Sequence, residues 1–151
     1  MFRRRPARRP RLARRRLPGA RHAPASARPL EGPADEYARE LSPEPELLKR
    51  FLAEKRRHGG DHNYPFHVVG YERRFHPPPA ALEKLKALAE RSRAEDVYLI
   101  CQCGEDERCH RELLLLLART WHGAATEPLR FAYPVFESRL RRDGLKPALG
   151  A

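Results

Sequence analysis

The segment from Val97 to Arg111 constrains the fold more than any other part of this chain. An apolar run, Val97 to Cys101, is followed by a polar loop and then by an unbroken row of leucines that begins at Leu113. A short apolar run with β-branched and aromatic members is typical of a buried strand, and a leucine row is typical of a helix. The order predicts strand, loop and helix, and α/β proteins bind ligands at joints of this kind.

All three cysteines of the chain lie at this joint, and Cys109 is followed directly by His110 and Arg111. At the start of a helix the dipole stabilises a thiolate, which raises the reactivity of a cysteine there. An imidazole can exchange protons, and a guanidinium binds carboxylate or phosphate. The sequence therefore predicts a site for an anion or nucleotide with a reactive cysteine. Its catalytic candidates are Cys101, Cys109 and His110, and Arg111 is its first ligand-binding candidate.

Two further ligand-binding candidates come from an aromatic and basic stretch upstream of the joint. Arg74 lies between Tyr71 and Phe75. Clusters of this kind are often solvated faces anchored by an aromatic ring, because arginine keeps its charged head in water. On the functional interpretation, Arg74 and Tyr71 face the same ligand as Arg111.

A metal site is the alternative interpretation of the same joint. Cys101, Cys103, Cys109 and His110 offer three sulfurs and one nitrogen, the donor types that zinc prefers. Their spacing differs from the paired Cys-x-x-Cys pattern of common zinc sites, and adjacent residues 109 and 110 face one ion with difficulty. We expect no resident cofactor on the leading interpretation and zinc on the alternative. Whether the protein is an enzyme stays open at this point.

The net charge of +11 belongs to the first part of the chain. Residues 1–30 contain 11 arginines and no acidic residue, so the remaining 20 basic residues balance all 20 acidic ones. We expect residues 1–33 to form an Arg/Pro-rich, poorly ordered arm and residues 34–151 to form one α/β domain. A third interpretation is a nucleic-acid-binding protein that contacts phosphates through residues 3–28. Disorder without a dedicated role, or a start-site or reading artefact, are the alternatives for this arm.

Composition also bears on compartment and stability. The longest apolar run, Leu113 to Ala118, is too short to span a bilayer, so no membrane association is expected. Three cysteines without a secretory signal favour reduced thiols and a cytoplasmic location. Asn63 and Gln102 are the only side-chain amides, which with abundant Arg and Glu is typical of a heat-adapted protein.

The remaining elements are placed by periodicity and by helix-start and helix-stop residues. Residues 62–76 mix strand and helix signals. The other expected elements are a short edge strand and turn around Arg14–Gly19, a helix capped by Ser42 that runs to Arg57, a helix Ala80–Arg91, a helix Cys109–Trp121, a strand Leu129–Tyr133 and a helix Val135–Arg142. Helices that flank a buried strand predict a single α/β domain with a central, mostly parallel sheet.

The joint also resembles a known family. Leu99-Ile-Cys-Gln-Cys-Gly-Glu-Asp-Glu-Arg-Cys-His-Arg-Glu-Leu113 is similar to the signature of the Domain of Unknown Function 488 family, which includes YeaO-like proteins. In that signature a strand, a cysteine and an acidic loop precede a helix that begins with Cys-His-Arg. Residues 35–51 and 71–75 resemble two other, less specific segments of the family. The resemblance implies an α/β fold with a central parallel sheet, and it implies no particular activity.

Overall fold

The computed structural model describes residues 12–16, 38–101, 103–104 and 106–142. Strand β1 (Leu12–Arg16) pairs in parallel with strand β2 (Val97–Cys101), so that Arg16 lies opposite Cys101. A short 3-10 turn, Arg39–Leu41, precedes the helices. The α-helices of the described residues are α1 (Pro45–Arg57), α2 (Asn63–Val68), α3 (Tyr71–Arg74), α4 (Pro79–Arg91), α5 (His110–His122) and α6 (Pro134–Arg141).

The predicted α/β architecture with a central, mostly parallel sheet is wrong for the described residues. They are mostly helical, and their strand pairing is limited to β1 with β2. β2 is also not covered on both faces, because Leu99 is buried while the neighbouring Tyr98 is 45% exposed. The physical reason is that helix-forming periodicity extends through most of the chain, which leaves one apolar run suited to a central strand.

Helix α5 forms the centre of the core. Its residues from Arg111 to Ala118 are all buried, so this stretch is covered on every side, as expected for an internal helix. Gly123 ends α5 in the left-handed conformation, with φ of 63°, a geometry that glycine adopts without a steric penalty. None of the described helices combines the length and the apolar character needed to cross a bilayer.

The core around α5 is aromatic as well as aliphatic. Phe66 stacks on Tyr71 at a centroid distance of 4.3 Å, and Tyr71 stacks in turn with Phe75 at 6.0 Å. Phe75 then contacts Phe136 of α6. This row of rings joins α2, α3 and α6, and it lies beside the first turn of α5, because Phe75 also approaches the His110 ring at 6.4 Å.

The smaller predictions have mixed outcomes. The strand Val97–Cys101 is confirmed, and the helices near residues 80–91, 109–121 and 135–142 are confirmed to within a residue or two. The cap at Ser42 is wrong, since α1 begins at Pro45 after Glu44. The strand Leu129–Tyr133 is also wrong, because this segment is irregular and hydrogen-bonds to Cys109 and Glu112 at the start of α5. β1 overlaps the expected edge strand over residues 14–16, and the expected turn at residues 17–19 lies outside the described residues.

Candidate functional site

The three cysteine sulfurs converge at the joint between β2 and α5. Cys101 ends the strand, Cys109 is the residue immediately before the helix, and Cys103 lies in the loop between them. The Sγ atoms of Cys101 and Cys103 are 3.5 Å apart, and those of Cys101 and Cys109 are 3.8 Å apart. All three sulfurs lie within 4.8 Å of one another, and none forms a disulfide. We call Cys101, Cys103 and Cys109 the cysteine triad.

Exposure differs within the cysteine triad. Cys109 is buried, with 2% of its surface exposed. Cys101 and Cys103 are only partly buried. A molecule approaching the joint therefore meets the sulfurs of Cys101 and Cys103 before that of Cys109.

Arg111 supports the cysteine triad from the first turn of α5. It is 3% exposed, its Nε donates to Cys109 Sγ at 3.4 Å, and its Nη2 donates to the Cys103 carbonyl oxygen at 3.4 Å. Burial opposes the charge of this guanidinium, but the negative charge of the sulfurs outweighs that effect and the pKa of Arg111 is raised. A buried positive charge is thus held against the triad, where the low polarity of the surroundings strengthens the attraction.

The pKa values of two cysteines of the triad are shifted in opposite directions. Hydrogen bonds from Cys101 and Cys103 lower the pKa of Cys109 well below its ordinary value, and Arg111 lowers it further against the opposing effect of burial. Hydrogen bonds to Cys101 and Cys109, together with burial, raise the pKa of Cys103. The arrangement therefore favours a thiolate at Cys109 and a retained proton at Cys103.

His110 adds a proton acceptor beside the buried thiolate. Its Nδ1 lies 3.6 Å from Cys109 Sγ. Burial lowers the pKa of His110 against the opposing charge of Cys101, and the charge of Arg111 lowers it further, so the neutral ring is favoured. A neutral imidazole at this position can receive a proton from the triad.

The other predicted ligand-binding residues have different surroundings. Tyr71 is 3% exposed, and burial together with the charge of the three sulfurs raises the pKa of its hydroxyl, which places Tyr71 near the cysteine triad. Arg74 is exposed at the end of α3. Its role in binding a ligand stays a prediction.

A buried carboxylate and a phenol fix the start of α5 from behind. The Cys109 backbone N–H donates to the Tyr133 hydroxyl at 3.3 Å, and that hydroxyl donates to Glu112 Oε1 at 2.9 Å. Glu112 is fully buried and also accepts from the Arg130 backbone N–H at 2.5 Å. The segment that the sequence suggested as a strand is therefore tied to the helix start through Glu112.

The loop between Cys103 and Cys109 is held by residues that sequence reasoning did not single out for this site. His62 is 7% exposed, with Nδ1 2.6 Å from Glu107 Oε2 and Nε2 2.6 Å from the Arg108 carbonyl oxygen. Burial lowers the pKa of His62 against the opposing charge of Glu107. His62 had no recognisable ligand spacing, and its distance of about 45 residues from the loop left no local signal.

The positions of the three sulfurs are compatible with a metal site. The described residues that can offer ligand atoms within 4.8 Å of one another are the three members of the cysteine triad. His110 approaches Cys109 but does not belong to this group. The triad can therefore hold a metal ion through three sulfurs, and His110 as a fourth ligand stays a prediction.

The model of family DUF488-N3a, described as the active DUF488-N3 subclade, matches residues 3–122. The chain belongs to this DUF488 family. The family resemblance read from the sequence is thereby confirmed, and the match includes β1, β2, the joint and all of α5. No curated protein and no solved structure matches the chain.

The predicted nucleic-acid contact falls in a part of the DUF488 chain that is scarcely described. Of residues 3–28, the structure describes the strand β1 at 12–16. The remaining arginines of the arm lie outside the described residues, and nucleic-acid binding stays a prediction.

Proposed function

We propose that this DUF488 protein is a thiol-dependent enzyme whose cysteine triad attacks a small anionic electrophile, with nucleotides and other phosphate-bearing molecules as the expected class. One observation carries the proposal: Cys109 Sγ lies 3.8 Å from Cys101 Sγ and accepts a hydrogen bond from the buried Arg111. A thiolate is the nucleophilic form of cysteine, and this arrangement favours one by lowering the pKa of Cys109. The description of the family as active agrees with an enzyme.

We assign the nucleophilic role to Cys101 and the role of its base to Cys109. Cys101 is the more exposed of the two, whereas the buried Cys109 holds the negative charge. The Cys101 sulfur forms a bond to the electrophilic atom as its proton passes to the Cys109 sulfur 3.8 Å away, and the leaving group departs with the bonding electron pair. The two events occur together, because the lowered pKa of Cys109 makes it too weak a base to deprotonate Cys101 beforehand. The Nδ1 atom of neutral His110 can take the proton from Cys109 and restore its thiolate.

The preference for an anion rests on positive potential around the sulfurs. The first-turn N–H groups of the 13-residue helix α5 lie beside Cys109, and Arg111 adds a full charge. Both favour a substrate that carries negative charge close to its reacting atom. We place the protein in the cytoplasm, because three adjacent thiols persist only where the surroundings are reducing.

Alkylation with a matched pair of reagents tests this function. Iodoacetate is anionic and iodoacetamide is neutral, and both form a thioether with release of iodide. At pH 7 we expect the folded protein to react at Cys101 about tenfold faster than the urea-unfolded chain, because a free thiol is mostly protonated there. We also expect the rate ratio of iodoacetate to iodoacetamide to exceed that of glutathione.

The cysteine variants serve as controls. Cys109→Ser should abolish the rate enhancement at Cys101, whereas Cys103→Ser should leave part of it. Rates no faster than those of the unfolded chain would remove the nucleophile. A reagent ratio equal to that of glutathione would remove the anion preference.

A metal centre is the second candidate function, and the sulfur spacing favours it. Tetrahedral zinc with Zn–S bonds of about 2.3 Å separates its sulfurs by about 3.8 Å. The distances of 3.5 Å and 3.8 Å within the cysteine triad come close to that value. A divalent ion on three thiolates leaves one negative charge, which the buried Arg111 would balance.

Cobalt titration decides between the two candidates. A metal centre predicts one Co²⁺ per chain, with a sulfur-to-cobalt absorption band that is lost in Cys101→Ser. It also predicts that zinc suppresses alkylation and that a chelator restores it. Full alkylation in the presence of excess zinc, with no cobalt band, would exclude the metal centre and leave the nucleophile.

A further inference from the structure

Asn63 is the only asparagine in the 151-residue chain. It is the first residue of α2, yet both polar atoms of its side chain contact the loop between Cys103 and Cys109. Nδ2 donates to the Asp106 carbonyl oxygen at 2.9 Å, and Oδ1 accepts from the Arg108 backbone N–H at 2.8 Å. The amide thus pairs with the loop backbone as a neighbouring strand would.

His62 and Glu107 complete the attachment of this loop. His62 contacts Glu107 Oε2 and the Arg108 carbonyl oxygen, each at 2.6 Å. The other oxygen of Glu107 accepts from the Gly104 backbone N–H at 2.6 Å. Together with Asn63, these residues hold the loop backbone at positions 104, 106 and 108. We call His62, Asn63 and Glu107 the loop clamp.

The loop clamp lies next to two of the three sulfurs in sequence. Cys103 directly precedes the held Gly104, and Cys109 directly follows the held Arg108. Among the described residues of the loop, the backbone contributes one turn-closing hydrogen bond, from the Glu107 N–H to the Gly104 carbonyl oxygen at 3.3 Å. Side chains, with His62 and Asn63 from outside the loop and Glu107 from within it, therefore set most of its conformation. The loop conformation in turn sets the positions of Cys103 and Cys109 relative to Cys101 on β2.

We propose that Asn63 is a positioning residue that holds the sulfurs of the cysteine triad within reach of one another. It touches no sulfur and acts through the loop backbone. The inference concerns the site of the proposed function, but it makes a statement about sulfur spacing that holds whatever reaction occurs there.

Asparagine can make both hydrogen bonds to the loop, whereas aspartate, glutamine and alanine at this position cannot. Aspartate keeps an acceptor for the Arg108 N–H but has no N–H for the Asp106 carbonyl oxygen. Glutamine has both groups, but its extra methylene moves them away from the loop. Alanine removes both hydrogen bonds. The three substitutions therefore form a graded series.

The probe for the experiment is phenylarsine oxide, a trivalent organoarsenical that bonds two thiols at once. Two As–S bonds form, the As–O bond is lost, and the two thiol protons leave with the oxygen as water. Tight binding needs two sulfurs a few ångströms apart, so the affinity of the full chain reports sulfur spacing directly. The thermal unfolding midpoint of each variant reports global folding.

We expect Asn63→Ala to weaken phenylarsine oxide binding about tenfold, the effect of losing two hydrogen bonds of ordinary net strength. Asn63→Asp should have an intermediate effect, and Asn63→Gln an effect close to that of alanine. Tyr64→Ala is the control, because Tyr64 is 54% exposed on the same helix and should leave binding unchanged.

The outcomes separate this inference from the proposed function. Wild-type affinity in folded Asn63→Ala would overturn the role of Asn63 while leaving the alkylation result intact. Slow alkylation combined with an Asn63-dependent arsenical affinity would overturn the proposed function and support the clamp. Should Asn63→Ala fail to fold, the comparison of Asn63→Asp with Tyr64→Ala decides. Equal affinities in those two variants would overturn the inference.

Discussion

The guanidinium of Arg111 donates from Nε to Cys109 Sγ at 3.4 Å, across the first turn of one helix. The two residues are separated by His110 alone, so the ion pair is encoded within three consecutive positions. Both partners are buried, and burial of either charge without the other would be costly. The hydrogen bonds from Cys101 and Cys103 lower the pKa of Cys109 most, and the Cys-His-Arg sequence adds a positive charge two positions away that lowers it further.

Removing the charge of Arg111 should raise the pKa of Cys109. In Arg111→Met we expect the pH midpoint of thiolate absorbance at 240 nm to move up toward the ordinary cysteine value of about 8.5. Arg111→Lys, which keeps a positive charge without the planar fork, should move it less. An unchanged midpoint in Arg111→Met would show that the other thiols alone stabilise the thiolate.

Tyr133→Phe should destabilise the fold by roughly 1–3 kcal/mol, because it deletes hydrogen bonds to the buried Glu112 and to the Cys109 N–H. Urea denaturation measures the change in the free energy of unfolding. Tyr98→Phe is the matched control: Tyr98 is 45% exposed, and its loss of a hydroxyl should change that free energy by less than about 0.5 kcal/mol. Equal effects in the two variants would contradict a structural role for the Tyr133 hydroxyl.

Leu115→Ala should lower the free energy of unfolding by about 2–5 kcal/mol, since it opens a cavity in the helix at the centre of the core. Leu115 is 1% exposed. Leu48→Ala makes the same chemical change on α1, where the side chain is 37% exposed, and should cost much less. The difference between the two free energies, measured by urea denaturation, tests whether α5 is internal.

His122 should make stability fall on acidification. Burial and the charge of Lys86 lower its pKa, and its Nε2 is buried without a hydrogen-bond partner in the described part of the chain. The pKa of His122 in the folded protein lies below its value of about 6.5 in the unfolded chain. Between these two pH values the unfolded chain therefore binds more protons than the folded protein. The contribution of His122 is therefore complete above pH 6.5 and is lost as pH falls through the folded pKa.

The experiment for His122 compares the pH dependence of unfolding in two variants. His122→Gln should flatten the loss of stability below pH 6.5. His67→Gln, at an exposed position of α2, should leave the slope as it is in the wild type. Identical slopes in all three proteins would remove His122 as a source of acid sensitivity.

Local patterns predicted the joint well but predicted the architecture poorly. Val97–Cys101 and the helix that follows are specified by a contiguous apolar run and by leucine-rich chain, which are properties of neighbouring residues. The central sheet could not be judged in the same way, because it depends on how many other segments pair with β2. Residues 129–133 illustrate the error: the Tyr133 hydroxyl and the Arg130 backbone N–H bind Glu112 in the first turn of α5, and the segment forms no strand.

The residues of the candidate site also fall into two groups, those recognisable from local sequence and those that reach the site through long-range contacts. Cys101, Cys109, His110 and Arg111 were recognisable from their sequence positions alone. The contributions of His62 and Asn63 were not, because these residues reach the loop across about 45 positions of chain. Tyr133 was hidden for the same reason, since its contact with Cys109 spans 24 positions.

The strand, the helix start and the set of thiol, imidazole and guanidinium groups between them can be read from the amino-acid sequence, because short-range periodicity and helix-end chemistry act within a few residues. The separation of the three sulfurs, within 4.8 Å of one another, and the burial of Cys109 follow from long-range contacts instead. Those distances depend on contacts from α2 and from the segment before α6. Contacts of that kind form only when the whole core packs around α5.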